Sequence, residues 1–315
     1  MNRSKKLSKK EFDAIIKENL LKSGVAEECF GYRTDNDRTY PEYYAKPEFD
    51  KFVDEMKAYY PEHYKKYYGD EKANENKGGM GGELIPKRGR WGMMLPKMAS
   101  VASSSRFCYL ALRDGTNALF SDWVATKDNV EFEKECRIFA DGPTAPQLDA
   151  YIENPSCDCY IEAKCHEIFD SHKIEFKNKY WDIFQKNESL HVILENVTQH
   201  EETFEISRSV LGLSDEHLRF DVKQFICHLL GIACKSKGKP AKLIYLFFKP
   251  ENGDEKTKID DVFDELKNEI DSLFNSEVIK EFCTVNQIGL EVIIQECDIM
   301  KKLDINNSWK LFSRE

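Results

Sequence analysis

Two carboxylates and a lysine fall at telling spacings in the stretch Leu148 to Glu167, LDAYIENPSCDCYIEAKCHE. Successive side chains of a β-strand point to opposite faces. Leu148, Ala150 and Ile152 therefore form an apolar row opposite Asp149, Tyr151 and Glu153. Asn154, Pro155 and Ser156 signal a turn. Beyond it Cys159, Ile161, Ala163 and Cys165 alternate with Asp158, Tyr160, Glu162, Lys164 and His166. The pattern predicts a β-hairpin with one core face and one chemical face. If Glu153 meets Asp158 across the turn, paired residue numbers sum to 311 and Asp149 lies opposite Glu162. Opposed Cβ atoms stand about 4.5–5.5 Å apart. Two carboxylates that close repel unless one is protonated or a cation sits between them. A hard divalent ion, Mg²⁺ or Mn²⁺ in its place, suits oxygen ligands, and Lys164 on the same face could orient a water or neutralise a phosphate. The chemistry this set could do is metal-assisted phosphodiester cleavage. The plain alternative is a solvated cross-strand charge pair flanked by Tyr151 and Tyr160, against which stands the cost of opposing like charges.

These residues carry a family resemblance. Asp149, twelve intervening residues, then Glu162-Ala163-Lys164 resembles the D…(D/E)-x-K signature of the PD-(D/E)XK, restriction-endonuclease-like nucleases, with Leu148 in place of the usual proline. Phe169 after the motif, Gln224 on a later helix and the pair Phe132-Glu133 upstream are similar to a subgroup of bacterial proteins classed as restriction endonucleases. The resemblance covers roughly residues 100–250. It implies an α/β fold, a restriction-endonuclease-like mixed β-sheet flanked by helices, and Mg²⁺-dependent cleavage of double-stranded DNA. By that resemblance Asp149, Glu162 and the carbonyl of Ala163 hold the metal, and Lys164 positions the attacking water. Glu133 serves a second metal or orients one, and Gln224 holds Lys164 or a phosphate. A glutamine on this helix sometimes belongs to a Gln-x-x-x-Tyr motif; here His228 stands where the tyrosine would be. A type II-like restriction enzyme, acting as a homodimer, is the expectation. A repair or recombination nuclease, and a non-catalytic binding module on the same fold, are the alternatives.

Several elements must position those residues. Val130 to Phe139 alternates, with Val130, Phe132, Cys136 and Ile138 on one side and Glu131, Glu133, Glu135 and Arg137 on the other, although Lys134 interrupts the pattern. That predicts a strand beside the hairpin, and leaves Glu131, Glu133 and Glu135 all open as the acid facing the site. Ser103 to Ser105 ahead of Arg106-Phe107-Cys108-Tyr109-Leu110 suit a helix N-cap. Val222 to Ala233 reads as a buried helix carrying Gln224 and His228 as i, i+4 neighbours. Leu243 to Phe248, LIYLFF, suits a central strand buried on both faces. Ile259 to Phe274 reads as an amphipathic acidic helix and Leu290 to Ile294 as one more strand.

The first third differs in character. Lys9 to Lys22 is a predicted helix, its stripe formed by Ile15, Ile16, Leu20 and Leu21 with Phe12 left out, and Pro47 to Tyr60 is another. The aromatic density from Tyr40 to Tyr68 is assigned to packing rather than base stacking. Residues 69–97, with the run Gly78 to Gly82, are expected to form a mobile loop or linker. That run lacks the Gly-Lys-Ser/Thr of a phosphate loop, so no nucleotide cofactor is implied. A helical N-terminal extension, residues 1–97, thus precedes a nuclease domain, residues 98–315.

Charge and cysteines set the outer bounds. The 315 residues carry a formal net charge of −10, distributed unevenly: residues 1–100 hold 20 basic and 17 acidic side chains, and the rest are strongly acidic. Basic runs such as Lys87-Arg88-Gly89-Arg90 could track a phosphate backbone. Most of the ten cysteines lie in apolar runs and read as reduced core thiols of a cytoplasmic protein. Cys157, Cys159, Cys165 and His166 lack a standard zinc spacing, and alternation sends the last two to opposite faces. No stretch is apolar and long enough to span a membrane.

Overall fold

The computed structural model describes residues 7–34, 38–68, 83–84, 87–89, 92–113, 130–139, 145–170, 172–214, 219–251 and 256–296. Helix α1 (Lys9–Lys22) opens the chain, where Ser8 and Glu11 satisfy each other's backbone amides in a capping box. It buries Phe12, Ile16 and Leu20. Phe12, left out of the stripe read from sequence, is therefore at its centre, packed 5.0 Å from the ring of Phe169. A hairpin of β1 (Phe30–Arg33) and β2 (Thr39–Tyr44) leads to α2 (Lys46–Tyr59) and α3 (Pro61–Tyr68). Residues 69–97 are not one loop: β3 (Lys87–Gly89) pairs with β4 (Gly92–Met94), and a 3₁₀ turn covers Lys97–Ala99. The glycine run itself lies outside the described residues. Helix α4 (Ser104–Leu112) begins at Ser103, whose hydroxyl accepts from the Arg106 amide as the serine run predicts.

The main sheet is mixed. Strand β5 (Val130–Glu135) pairs antiparallel with β6 (Gln147–Ile152), and β6 with β7 (Asp158–Lys164). An excursion follows through β8 (Glu175–Lys177), α5 (Trp181–Lys186), α6 (Glu188–His191), β9 (Val197–Gln199) and β10 (Thr203–Ile206); its three strands form a small separate sheet. Helix α7 (Val222–Ser236) then returns the chain to β11 (Ala241–Lys249), parallel to β7. Helices α8 (Lys256–Phe274) and α9 (Glu277–Val285) carry the crossover to β12 (Ile288–Glu296), parallel to β11. The sheet order is β12-β11-β7-β6-β5. A mixed α/β fold with helices against its sheet is what the sequence leads one to expect, LIYLFF included: Leu243 to Phe248 are all buried in β11.

Two features of the predicted hairpin differ in the structure. Strand β6 alternates as expected, but β7 is buried from Asp158 through Ala163, so its chemical face is not solvated. The reason is its place inside the sheet with helices on both sides. Phe107 and Tyr109 of α4 pack on Phe248 and Phe132 on one face, while α7 lies on the other, where His228 meets Tyr245. The predicted strand from Val130 to Phe139 is also shorter and does not alternate cleanly. Glu133 has φ +52°, a left-handed conformation rare outside glycine, and it is missing from the ladder between Phe132 and Lys134. Lys134 consequently swings over the ring of Tyr151, 4.1 Å from its centroid.

Helix α7 sits unusually close to β5. A Cβ placed on Gly231 would lie 2.6 Å from the carbonyl oxygen and 2.8 Å from the Cβ of Cys136. Helix propensity alone would make Gly231→Ala stabilising by about 1 kcal/mol. The close approach reverses that, and urea unfolding should show the variant destabilised by about 1–3 kcal/mol; a gain in stability would mean the helix stands off from the sheet.

Candidate active site

Three acidic residues come into line where the sheet loosens. The β5–β6 register runs Phe132 with Ala150 and Lys134 with Leu148, which sets Glu133 opposite Asp149. The β6–β7 pairs, Ala150 with Ile161, Tyr151 with Tyr160 and Ile152 with Cys159, sum to 311 as the hairpin predicts, and one further step sets Asp149 opposite Glu162. That last step is not a ladder pair. Instead the Asp149 side chain takes over, its Oδ2 accepting from the Ala163 amide at 2.8 Å. In a strand the amide and carbonyl of one residue point to the same side, so the Ala163 carbonyl also faces this gap.

Lys164 closes the group from above. Its Nζ donates to Glu162 Oε1 and to Gln224 Oε1, each at 2.7 Å, while Gln224 Nε2 donates to the same Glu162 oxygen at 2.9 Å. Gln224 is aimed by the start of α7, where the Asp221 carboxylate accepts from its backbone amide. The solvated charge pair fails as a description, because Glu162 is only 4% exposed. His228, standing where a tyrosine was expected, is buried as well. It contacts Tyr245 Oη at 3.0 Å and the Gln147 carbonyl at 3.1 Å, with Glu162 Oε2 at 3.9 Å, beyond hydrogen-bond length. Burial lowers its pKa, so it is a neutral ring donating to the carbonyl and accepting from the tyrosine.

Of the three glutamates left open in the upstream strand, Glu133 is the one coupled to the site. Glu131 is held by Lys66 and Lys134, and Glu135 by Arg137. Glu133 interacts with Glu162 and, more strongly, with a residue that sequence reasoning missed, Glu83. Glu83 is 7% exposed; Lys97 holds its Oε1 at 2.7 Å, and its Oε2 has no hydrogen-bond partner. Nothing in the local pattern marked it, since it lies beside the glycine run. Glu167, just past the end of β7, also reaches the group: it accepts from the Ser104 hydroxyl at 2.8 Å and the Cys165 amide at 2.7 Å, and its charge acts on Lys164. Ser105 Oγ reaches Asp149 Oδ1 at 3.5 Å. The serine run was legible as a helix cap, not as a wall of the site.

The electrostatics follow from crowding. Burial first, then Glu162 and Glu133, raises the Asp149 pKa well above the usual carboxylate range. Burial, Glu83 and Glu162 push Glu133 up to about 8. Burial disfavours the charge on Lys164, but Glu162, Glu167 and Asp149 outweigh it and hold its pKa above the ordinary lysine value. For Glu167 burial is likewise outweighed, here by Lys164, His166 and its two hydrogen bonds, and its pKa is lowered.

Whether a divalent ion fits can be judged from the donors. Among the described residues no three His, Cys, Asp or Glu side chains converge as a ready-made metal cluster. What the site offers is smaller: Asp149 Oδ1, Glu162 Oε2 and the Ala163 carbonyl, amid crowded carboxyl groups that hold their protons above the ordinary range. Mg²⁺ commonly takes one or two carboxylates and keeps several waters, so the donor set suits that ion better than a metal needing a closed protein cage. Comparisons with protein families, with curated proteins and with solved structures return no match.

The raised pKa values set a pH dependence. Between the ordinary value of 4.5 and about 8 the folded chain keeps a proton on Glu133 that the unfolded chain has released. Stability therefore falls as pH rises through that window, by up to about 1.4 kcal/mol per pH unit for each proton held. Thermal melts should show this fall in EDTA, a smaller fall in Mg²⁺, and a flattened profile in Glu133→Gln; a flat wild-type profile would mean the carboxylates are solvated.

Proposed function

We propose that the chain is a divalent-cation-dependent nuclease of the PD-(D/E)XK, restriction-endonuclease-like class that hydrolyses phosphodiester bonds in DNA. The observation that carries this reading is the juxtaposition of half-buried Asp149 and buried Glu162 beside a charged Lys164 on the same sheet face. Asp149, Glu162 and the Ala163 carbonyl are the residues that would hold Mg²⁺, or Mn²⁺ in its place. When bound, the ion supplies Lewis-acid polarisation of the phosphate and makes the attacking water more acidic. Lys164, with its raised pKa, keeps its proton, so it acts as a donor that orients the water and offsets charge building on phosphate oxygens. Gln224 positions Lys164 and Glu162 together. Glu133 adds an acidic group that serves a second ion or orients the first.

Within that class, a type II-like restriction enzyme acting on double-stranded DNA as a homodimer remains the first reading, with repair or recombination nucleases as the alternative. A cytoplasmic setting suits the free thiols of every cysteine among the described residues. No helix among them is long and apolar enough to cross a membrane. One observation favours a second reading, a non-catalytic binding module: Lys164 and Gln224 both already occupy Glu162 Oε1.

Cleavage of plasmid and linear DNA in Mg²⁺ or Mn²⁺ separates the two. The nuclease reading expects cleavage by the wild type, and a loss of at least about 100-fold in both Asp149→Ala and Lys164→Ala. Lys164→Ala also leaves buried carboxylates without their partner, a cost of about 3 kcal/mol, so its folding is to be checked by circular dichroism. Wild-type rates in either variant would sink the assignment; absence of cleavage on any substrate favours the binding module.

A further inference from the structure

A trench runs along the edge of β5, the last strand of the sheet among the described residues, on the side where the carboxylate row begins. One part, of 510 Å³, is lined by the basic side chains of Lys66, Lys134, Arg137 and Lys235 and by the carboxylates of Glu131, Glu133 and Glu135. It continues through Lys66 and Glu131 into a second part of 450 Å³, walled by Tyr59, Tyr60, His63, Val130 and Phe132. The first part carries four basic side chains against three carboxylates, a slight basic excess on a chain whose net charge is −10, and the second is aromatic. Glu133, in the floor of the first part, stands in register opposite Asp149.

We propose that this trench holds an unpaired stretch of polynucleotide, phosphates toward Lys66, Arg137 and Lys235 and bases toward Tyr59, so that the substrate carries a single-stranded segment beside the bond to be cut; within the nuclease class this favours the repair or recombination reading over a restriction enzyme acting on uninterrupted duplex. The inference rests on the proposed phosphodiester chemistry for what happens at the carboxylates, but not for binding. The cations are suited to exchange partners. Lys66 pairs with Glu131, and Arg137 with Glu135, on surfaces where such pairs contribute little. The Lys235 ammonium meets only the Glu135 carbonyl, at 3.3 Å, among the described residues. Phosphates offer the same groups a stronger anion and release counterions.

The aromatic end selects against duplex. Tyr59 is 54% exposed, and Tyr60 and His63 stack with ring centroids 5.6 Å apart. An exposed ring at the end of a groove can stack on a base only when that base has left its own helix. Paired DNA would leave Tyr59 without such a contact.

The test is fluorescence anisotropy in EDTA with labelled oligo(dT), oligo(U) and a blunt DNA duplex of equal length. Tighter binding of a single strand than of the duplex is expected, DNA and RNA arms identifying which polynucleotide is preferred. Arg137→Glu combined with Lys235→Glu should weaken single-strand binding at least tenfold and flatten its salt dependence. Tyr59→Ala, with its fold checked by circular dichroism, should weaken it about tenfold. Equal binding of duplex and single strand, or wild-type affinity in both variants, would overturn the proposal. Because the readout needs no cleavage, a chain that binds as expected but never cuts would remove the reaction and keep the trench.

Discussion

Repulsion between crowded, partly buried carboxylates is the constraint on which this molecule turns. Glu133, Asp149 and Glu162 occupy adjacent strands in one register, with Glu83 pressing on the first of them. Ordinary sheets avoid opposing like charges because neither side-chain packing nor solvent relieves them. Here the chain sets Lys164 inside the group and Lys97 on Glu83, and leaves the balance as protons held against their ordinary affinity. Burying unneutralised acid costs stability, and under the proposed reading those protons are what an entering cation would displace.

The fold around the row is arranged to hold it in place. Helix α7 contributes at three successive levels: Gln224 to Glu162 and Lys164, His228 to the Gln147 carbonyl and Tyr245, and Gly231 against the backbone of Cys136. Each contact ties a different strand to the same helix, so the relative positions of β5, β6, β7 and β11 are fixed together. The first third of the chain closes the other side. Ser104 and Ser105 at the start of α4 reach Glu167 and Asp149, and Lys97 reaches Glu83. Rings of α2 and α3 pack with Tyr109 and Phe132 in the same core, so the helical extension is built into the sheet rather than tethered to it.

What the sequence made legible was whatever alternation or helical period controls. The 311 register of the hairpin, the Ser103 cap, the helix bearing Gln224 and the buried strand LIYLFF all follow from local pattern, and the structure has them. Local pattern could not supply burial, which depends on what lies across a face: β7 looks amphipathic in isolation and is covered on both sides in the fold. Phe12 was passed over because neighbouring isoleucines and leucines already made a stripe. Glu83 and Glu167 reach the site through tertiary packing, with no periodic signal to announce them. The left-handed turn at Glu133 likewise breaks a strand whose alternation, marred only by Lys134, gave little warning.

Cation binding tests the central claim most directly. Calorimetric titration with Mg²⁺ and Mn²⁺ at pH 7, in two buffers of different ionisation enthalpy, counts the protons displaced as the ion enters. A row built for a divalent ion binds with release of about one proton, and both the heat and the proton disappear in Asp149→Asn. Indifference to both ions, with the wild type and Asp149→Asn behaving alike, would contradict it and leave the carboxylates as protonated members of the core.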